Sequence, residues 1–243
     1  MKTSIEGSNT AKNGFRNEHD VISKFNNWKK DKDAQNWLVL MDYTLAEIEY
    51  VKAIKISGFK TDVQVQVTIK LKKVIDVENL QVKLVSSKRG FNQIDKRWID
   101  KYVELWNIPK NISTILKRNT GEIKPDNTQK KRLLANEFSD IEQNLLLNWV
   151  KSNKSIIISD VLKGRGKFAA EWMLVAQKLE KNARWVLKPM NYCLNFFGNG
   201  DVIITTRGNI RIGKITMQRK GGDAGRITAN MLQFKINPAE LFN

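Results

Sequence analysis

Residues 79–93 read NLQVKLVSSKRGFNQ, an apolar strand that runs straight into a basic loop. Leu80, Val82 and Leu84 alternate with Gln81 and Lys83, so the amide and the ammonium share one face of the strand. Upstream, residues 62–72 read DVQVQVTIKLK and alternate strictly. Val63, Val65, Val67, Ile69 and Leu71 face one way; Gln64, Gln66, Thr68, Lys70 and Lys72 face the other. That is the period of a half-buried strand. A turn around residues 73–78 would join the two strands into a hairpin. The second strand returns over a length close to the first, which brings Gln81 and Lys83 back near Asp62.

Helical periodicity precedes the hairpin. In residues 10–28, Ala11, Phe15, Ile22 and Phe25 make an apolar stripe, with Asn9 or Thr10 able to cap the helix. Glu18 falls on that stripe, three after Phe15 and four before Ile22. A carboxylate turned inward is costly without a partner, so Glu18 either pairs with a lysine at the boundary or points into a site. Beyond the hairpin, residues 117–132 are basic, carry a proline and suggest a surface connection. Ser139 and Glu142 form a capping box that opens a helix over 139–153. The run KSIIISDVL at 154–162 suggests a buried strand, and 164–181 a helix begun by glycine. Residues 200–236 suggest short strands with turns. No internal repeat, heptad pattern or domain boundary stands out. The expectation is one mixed α/β domain over 1–243, a central sheet flanked by helices, with a catalytic half to about residue 115 and a helical and β-rich recognition half from 116.

Composition narrows the chemistry. Of the 243 residues, 42 are lysine or arginine and 25 are acids, a formal charge of +17. That balance favours a polyanionic partner, most often nucleic acid. A single histidine, His19, excludes multi-histidine metal sites, and a single cysteine, Cys193, allows no internal disulfide. Cys193 reads as a buried apolar residue. No apolar run approaches the ~18 residues of a membrane helix, and no signal-peptide stretch opens the chain. The expectation is a cytoplasmic protein with no membrane partner.

Asp62, Gln81 and Lys83 then form a chemical group. A carboxylate and an amide oxygen both ligate a hard divalent cation, and the Val82 carbonyl between the two side chains is a further ligand. A lysine beside them can activate a water and stabilise the charge that develops on a phosphate. The loop that follows carries Ser87, Lys88, Arg89 and Lys96 for phosphates, and Asn92 and Gln93 for base edges. Phe91, beside Gly90, suits a wedge between base steps or a core contact. A second basic segment, 207–226, holds six cations against one acid. There, Arg207, Gln218, Arg219 and Lys220 precede a Gly221-Gly222 turn that suits entry into a groove, or a solvated hairpin.

Asp62, eighteen residues, then Gln81-Val82-Lys83 resembles the core of the PD-(D/E)xK nucleases, with Thr61 and Gln81 departing from the usual proline or serine and acid. The longer segments NGFRNEHD (13–20), TDVQVQV (61–67), NLQVKLVSSKRGFNQIDKRW (79–98), KGRGKFAAEWMLVAQK (163–178) and MQRKGGDAGRITANMLQFKINPAELF (217–242) are similar to those of type II restriction endonucleases that cut GCGC, an MspI-like branch of that superfamily. The resemblance implies a restriction-endonuclease-like α/β fold and a Mg²⁺-dependent site of Asp62, Gln81 and Lys83. It implies hydrolysis of double-stranded DNA at GCGC with 5′-phosphate ends, and a companion DNA methyltransferase. It also implies that an acid on the first helix, here Glu18, backs the metal site. Thr61 keeps the hydroxyl of the family's serine. Monomer and homodimer stay open. The rival reading is a non-catalytic DNA-binding protein using the same basic surface.

Overall fold

The computed structural model describes residues 2–69, 74–87, 90–126, 128–179, 182–222 and 225–242. Its elements group into two compact units that interleave along the chain, and position 115 falls inside a helix. One unit holds Ser8–Asn92, Leu162–Cys193 and Asn237–Asn243; the other holds Met1–Gly7, Gln93–Val161 and Leu194–Ile236.

In the first unit, β1 (Ile48–Lys55), β2 (Val63–Ile69), β3 (Val74–Val85), β5 (Trp172–Leu179) and β6 (Asn182–Pro189) form a five-stranded sheet in the order β1-β2-β3-β5-β6. All neighbours are antiparallel except β3 and β5. The alternation in β2 holds: Val63, Val65 and Val67 are fully buried, while Gln64, Gln66 and Thr68 are half-buried. They pack with Leu80 and Val82 against Val21 and Phe25 of α1 (Lys2–Asn26) and Ala34, Trp37 and Leu38 of α2 (Lys32–Leu40). Burying each such side chain stabilises the fold by ~1.5–3 kcal/mol. The expected turn at 73–78 is corrected. The ladder runs on to Ile69↔Val74, so 74–78 are already strand. Lys70, Leu71 and Lys72 lie outside the described residues.

Two further expectations are overturned. Among the described residues of 164–181 there is no α-helix, only a short 3-10 turn at Gly166–Phe168; Trp172–Leu179 is β5, with Met173–Gln177 all buried because β5 has neighbours on both edges and cover on both faces. Such a strand shows no alternation, so its apolar run passes for a helix. Residues 154–162 are not a strand but helix α6 (Lys154–Leu162). Ile157, Ile158, Val161 and Leu162 are its buried face, at helical spacing, although isoleucine favours strands.

The second unit carries a sheet in the order β4-β10-β9-β8-β7, from β4 (Asn92–Arg97), β7 (Val202–Ile204), β8 (Ile210–Ile212), β9 (Ile215–Arg219) and β10 (Leu232–Ile236). Its helices are α3 (Ile99–Trp106), α4 (Lys110–Thr120), α5 (Asp140–Ser152) and most of α6, with α7 (Met190–Gly198) spanning both units. The short strands expected over 200–236 are present. The capping box also holds: Glu142 N donates to Ser139 Oγ at 3.3 Å at the start of α5. Tyr102 and Trp106 stack, and Phe234 meets both edge-to-face, at centroid distances of 4.7–5.8 Å. Their polar tips are satisfied, Tyr102 Oη donating to Asp95 at 2.6 Å and Trp106 Nε1 to Asp160 at 2.8 Å.

Candidate active site

β2 begins at Val63, opposite Leu80, but β3 runs on to Val85. Residues 81–85 therefore have β5 on one edge and no β2 partner on the other. Asp62 stands at this vacated edge. Its N–H donates to Leu80 O at 2.8 Å, and its Oδ2 accepts from Val82 N at 2.7 Å. Backbone groups two residues apart on a strand face the same edge, so the Val82 carbonyl opens there as well. Lys83 Nζ lies 3.7 Å from Asp62 Oδ2, its side chain 13% exposed against 25% for the aspartate. Thr61 anchors the corner: it is wholly buried, and its hydroxyl donates to Phe168 O at 2.9 Å.

Asp62, Val82 and Lys83 line a cavity of about 180 Å³, closed by Asn13, Gly14, Asn17 and Glu18 of α1 and by Leu84, Ser86 and Asn92. Glu18 combines both roles foreseen for it. It faces this cavity and also pairs with Lys55 Nζ at 2.8 Å. The apolar stripe is corrected, since Phe15 is 58% exposed, with Lys55 Nζ 4.2 Å from its ring centroid. The buried line on α1 is Asn17, Val21 and Phe25, continued by Trp28 in the turn beyond it, so Glu18 borders it. Asn26, also on α1, accepts from Ala53 N at 2.7 Å and holds the helix to the edge strand β1. The helix begins well before Asn9 and Thr10, which therefore do not cap it.

Two amides stand out. Gln81 is 2% exposed, and its Oε1 has no hydrogen-bond partner among the described residues; Gln81 is not one of the cavity's lining residues. Asn17 lines the cavity, is 2% exposed, and has neither Oδ1 nor Nδ2 bonded among the described residues. A buried polar atom left unpaired costs ~1–3 kcal/mol, a cost that a ligand or water removes. No group of three His, Cys, Asp or Glu side chains is placed to hold a metal among the described residues. Asp62 and Glu18 supply two carboxylates, and the Gln81 and Val82 oxygens are neutral. An all-oxygen set of this kind fits a hard dication rather than zinc or copper.

The loop after β3 is braced. Asn92 Nδ2 donates to Leu84 O at 3.1 Å and to Gly90 O at 2.8 Å, so its amide nitrogen serves the loop itself. Gly90 has φ +61°, and a Cβ there would come 2.3 Å from Asn237 Oδ1. Only glycine fits, and it turns Phe91 outward, 59% exposed. Ser87, Gln93 and Lys96 are exposed as well, while Lys88 and Arg89 lie outside the described residues.

A model of the R.HinP1I restriction endonuclease family matches residues 41–242. The chain belongs to that family. It is a type II site-specific deoxyribonuclease, and the purely binding alternative falls. The crystal structure of the restriction endonuclease MspI in complex with its cognate DNA has the same fold, with a TM-score of 0.67 at 14% identity over 95% of this chain and 91% of that one. No curated protein matches the chain.

In this R.HinP1I family member the second basic segment is ordered by its own sheet. Gln233 Nε2 donates to Arg219 O and Lys220 O at 3.4 and 3.2 Å, and Arg219 Nη2 donates to Asn230 Oδ1 at 2.7 Å. Gly221 and Gly222 both take left-handed φ, near +60°, as the expected turn requires. Arg207 is exposed in a turn between β7 and β8, and Gln218 is half-buried on β9. Burial pushes the Cys193 thiol up to about 12, so it is a packing residue. No helix among the described residues is long and apolar enough to cross a membrane. Asn17 is the site residue that sequence reasoning missed. The available signal was an asparagine four residues before Val21, on the line that turns inward.

Proposed function

We propose that the chain hydrolyses both strands of duplex DNA at GCGC with Mg²⁺, leaving 5′-phosphate ends. One observation carries the reading: Asp62 Oδ2 meets Val82 N and sits 3.7 Å from Lys83 Nζ, in a cavity that Glu18 also lines. Asp62, Glu18, Gln81 Oε1 and Val82 O would hold the ion, which when bound polarises the scissile phosphate and lowers the pKa of a water. Lys83 would orient the attacking water and neutralise charge growing on the phosphate oxygens. The hydrogen bond from Val82 N keeps Asp62 aimed along the vacated edge, and the α1 wall restricts bulk water.

DNA would be gripped by Ser87, Lys88, Arg89, Phe91, Gln93 and Lys96 after the catalytic strand, and by Arg207, Gln218, Arg219 and Lys220 in the second unit. Asn92 acts through the loop's shape, given where its nitrogen is bonded. The +17 charge and the MspI–DNA complex support a duplex as substrate. A self-cutting activity calls for a companion methyltransferase. Two strands of a palindrome suit either a homodimer or a monomer acting twice. Lys83→Ala should slow single-turnover cleavage ~100-fold or more while specific binding survives. Cleavage by that variant at the wild-type rate removes Lys83 from the mechanism. Sequencing the ends of one digest reads out GCGC and the 5′-phosphate together.

A further inference from the structure

The loop after α4 was expected to be a plain surface connection, but it walls a cavity of about 260 Å³ in the second unit. Lys124, Lys131, Arg132 and Arg219 line it, and no acid does among the described residues. Two nearby acids have hydrogen-bond partners outside the lining. Glu122 accepts from Ile99 N at 3.1 Å, and Glu137 from Lys130 Nζ at 2.6 Å and Leu134 N at 2.7 Å. The Arg219 guanidinium is held in place. Its Nε and Nη2 donate to Asn230 Oδ1, and Asn230 Nδ2 is spent on Gly121 O at 3.0 Å. That brace leaves the Nη1 protons for a ligand. Burial, and then the positive charge of Arg132, hold this guanidinium below its ordinary range. Four cations line one space, with the Glu137 carboxylate acting on Arg132 from outside the lining; one of the four, Arg219, is pre-oriented and partly desolvated, and together they make a receptor for an anion.

We infer that this cavity binds a phosphate, specifically a backbone phosphodiester of the DNA substrate, as a grip separate from the catalytic cavity. The inference rests on the proposal that the substrate is duplex DNA. A phosphate contact is blind to sequence, so this grip adds affinity equally for GCGC and for other duplexes. It also adds to the salt dependence of binding, because each neutralised phosphate releases condensed counterions.

The test compares wild type with Lys131→Gln/Arg132→Gln, which leaves the Arg219–Asn230 brace intact. Binding is followed by fluorescence anisotropy on duplexes with and without GCGC from low to moderate salt, with Ca²⁺ in place of Mg²⁺. The expected result is a loss of affinity by the same factor on both duplexes, with the slope of log K against log salt reduced by about one. Unchanged affinity and slope overturn the inference. So does the case in which only inorganic phosphate separates the proteins, raising the melting temperature of wild type but not of the variant; the pocket then holds free anions. A loss confined to the GCGC duplex also overturns it, since that is base reading. Lys124→Gln, at an exposed loop position, supplies the same readout if the double variant melts early. A wild type that fails to cut GCGC, paired with a reduced slope in the variant, sinks the proposed specificity and leaves the grip standing.

Discussion

At the scale of single residues, the site is short of charge and long on buried amides. Gln81 stands where related nucleases carry an acid, so the ion would be held by fewer negative charges. Gln81→Glu should therefore lower the Mg²⁺ concentration needed for half-maximal cleavage. A metal titration in the presence of DNA checks this, and an unchanged midpoint removes Gln81 from the ligand set. Asn17 presents the complementary case, buried with both polar atoms unpaired among the described residues. Asn17→Leu should raise the melting temperature of the metal-free protein, because it removes an unpaired amide worth ~1–3 kcal/mol. The same variant should cleave more slowly, having lost a polar wall of the cavity. A lower melting temperature would show instead that Asn17 carries a structural hydrogen bond.

At the scale of elements, the β3–β4 connection would tie recognition to chemistry in the proposed mechanism. Gly90 and the Asn92 hydrogen bonds set the backbone from which Phe91 projects, shortly after β3. Its exposure rules out a core role and leaves it free to enter a base step. The CG at the centre of GCGC is a flexible pyrimidine–purine step, which lowers the cost of unstacking. Phe91→Ala should leave thermal stability almost unchanged, whereas truncating a buried phenylalanine costs ~3–5 kcal/mol. It should also weaken specific binding and stop a fluorescent base analogue at the central step from brightening. A variant that still brightens the analogue would end the wedge idea.

At the scale of the whole molecule, charge governs how the protein responds to its solvent. The +17 surface steers DNA and makes binding salt-dependent. Stability answers to a different group. Glu78 of β3 accepts from Trp172 Nε1 at 2.7 Å and Tyr43 Oη at 2.9 Å. Burial raises its carboxyl above the ordinary 4.5; the Trp172 and Tyr43 donors oppose that, and Glu171 and Asp76 add to it. A carboxyl with a raised folded pKa binds more protons folded than unfolded between the two values. Its contribution is thus full below about 4.5 and is lost as pH rises through the folded value. Glu78→Gln stays neutral throughout, so its melting temperature should gain on wild type as pH climbs through that window. A constant difference across the series would show that Glu78 does not titrate there.

The sequence by itself determined the β2–β3 hairpin that carries the candidate site. Strand alternation is a local property of the backbone, so Val63–Val67 against Gln64–Thr68 placed one face inward and matched Asp62 to Leu80–Lys83 in register. The capping box at Ser139 was legible for the same reason, since its partners lie three residues apart. Glu18 was recognisable as an inward acid, although the stripe around it was misplaced by Phe15, an exposed ring that lies under the Lys55 side chain. Only the tertiary structure decided that 154–162 is helix and 172–179 strand. The middle of β5 is buried on both faces and carries no period, while the isoleucines of 154–162 favour a strand locally and only packing of one face makes the run a helix. Likewise, only the fold brought Asn17 to the cavity wall and gathered Lys124, Lys131, Arg132 and Arg219 around one space. Lys124, Lys131 and Arg132 share one loop, but Arg219 lies far along the chain, and no local rule links a loop after α4 to the end of β9.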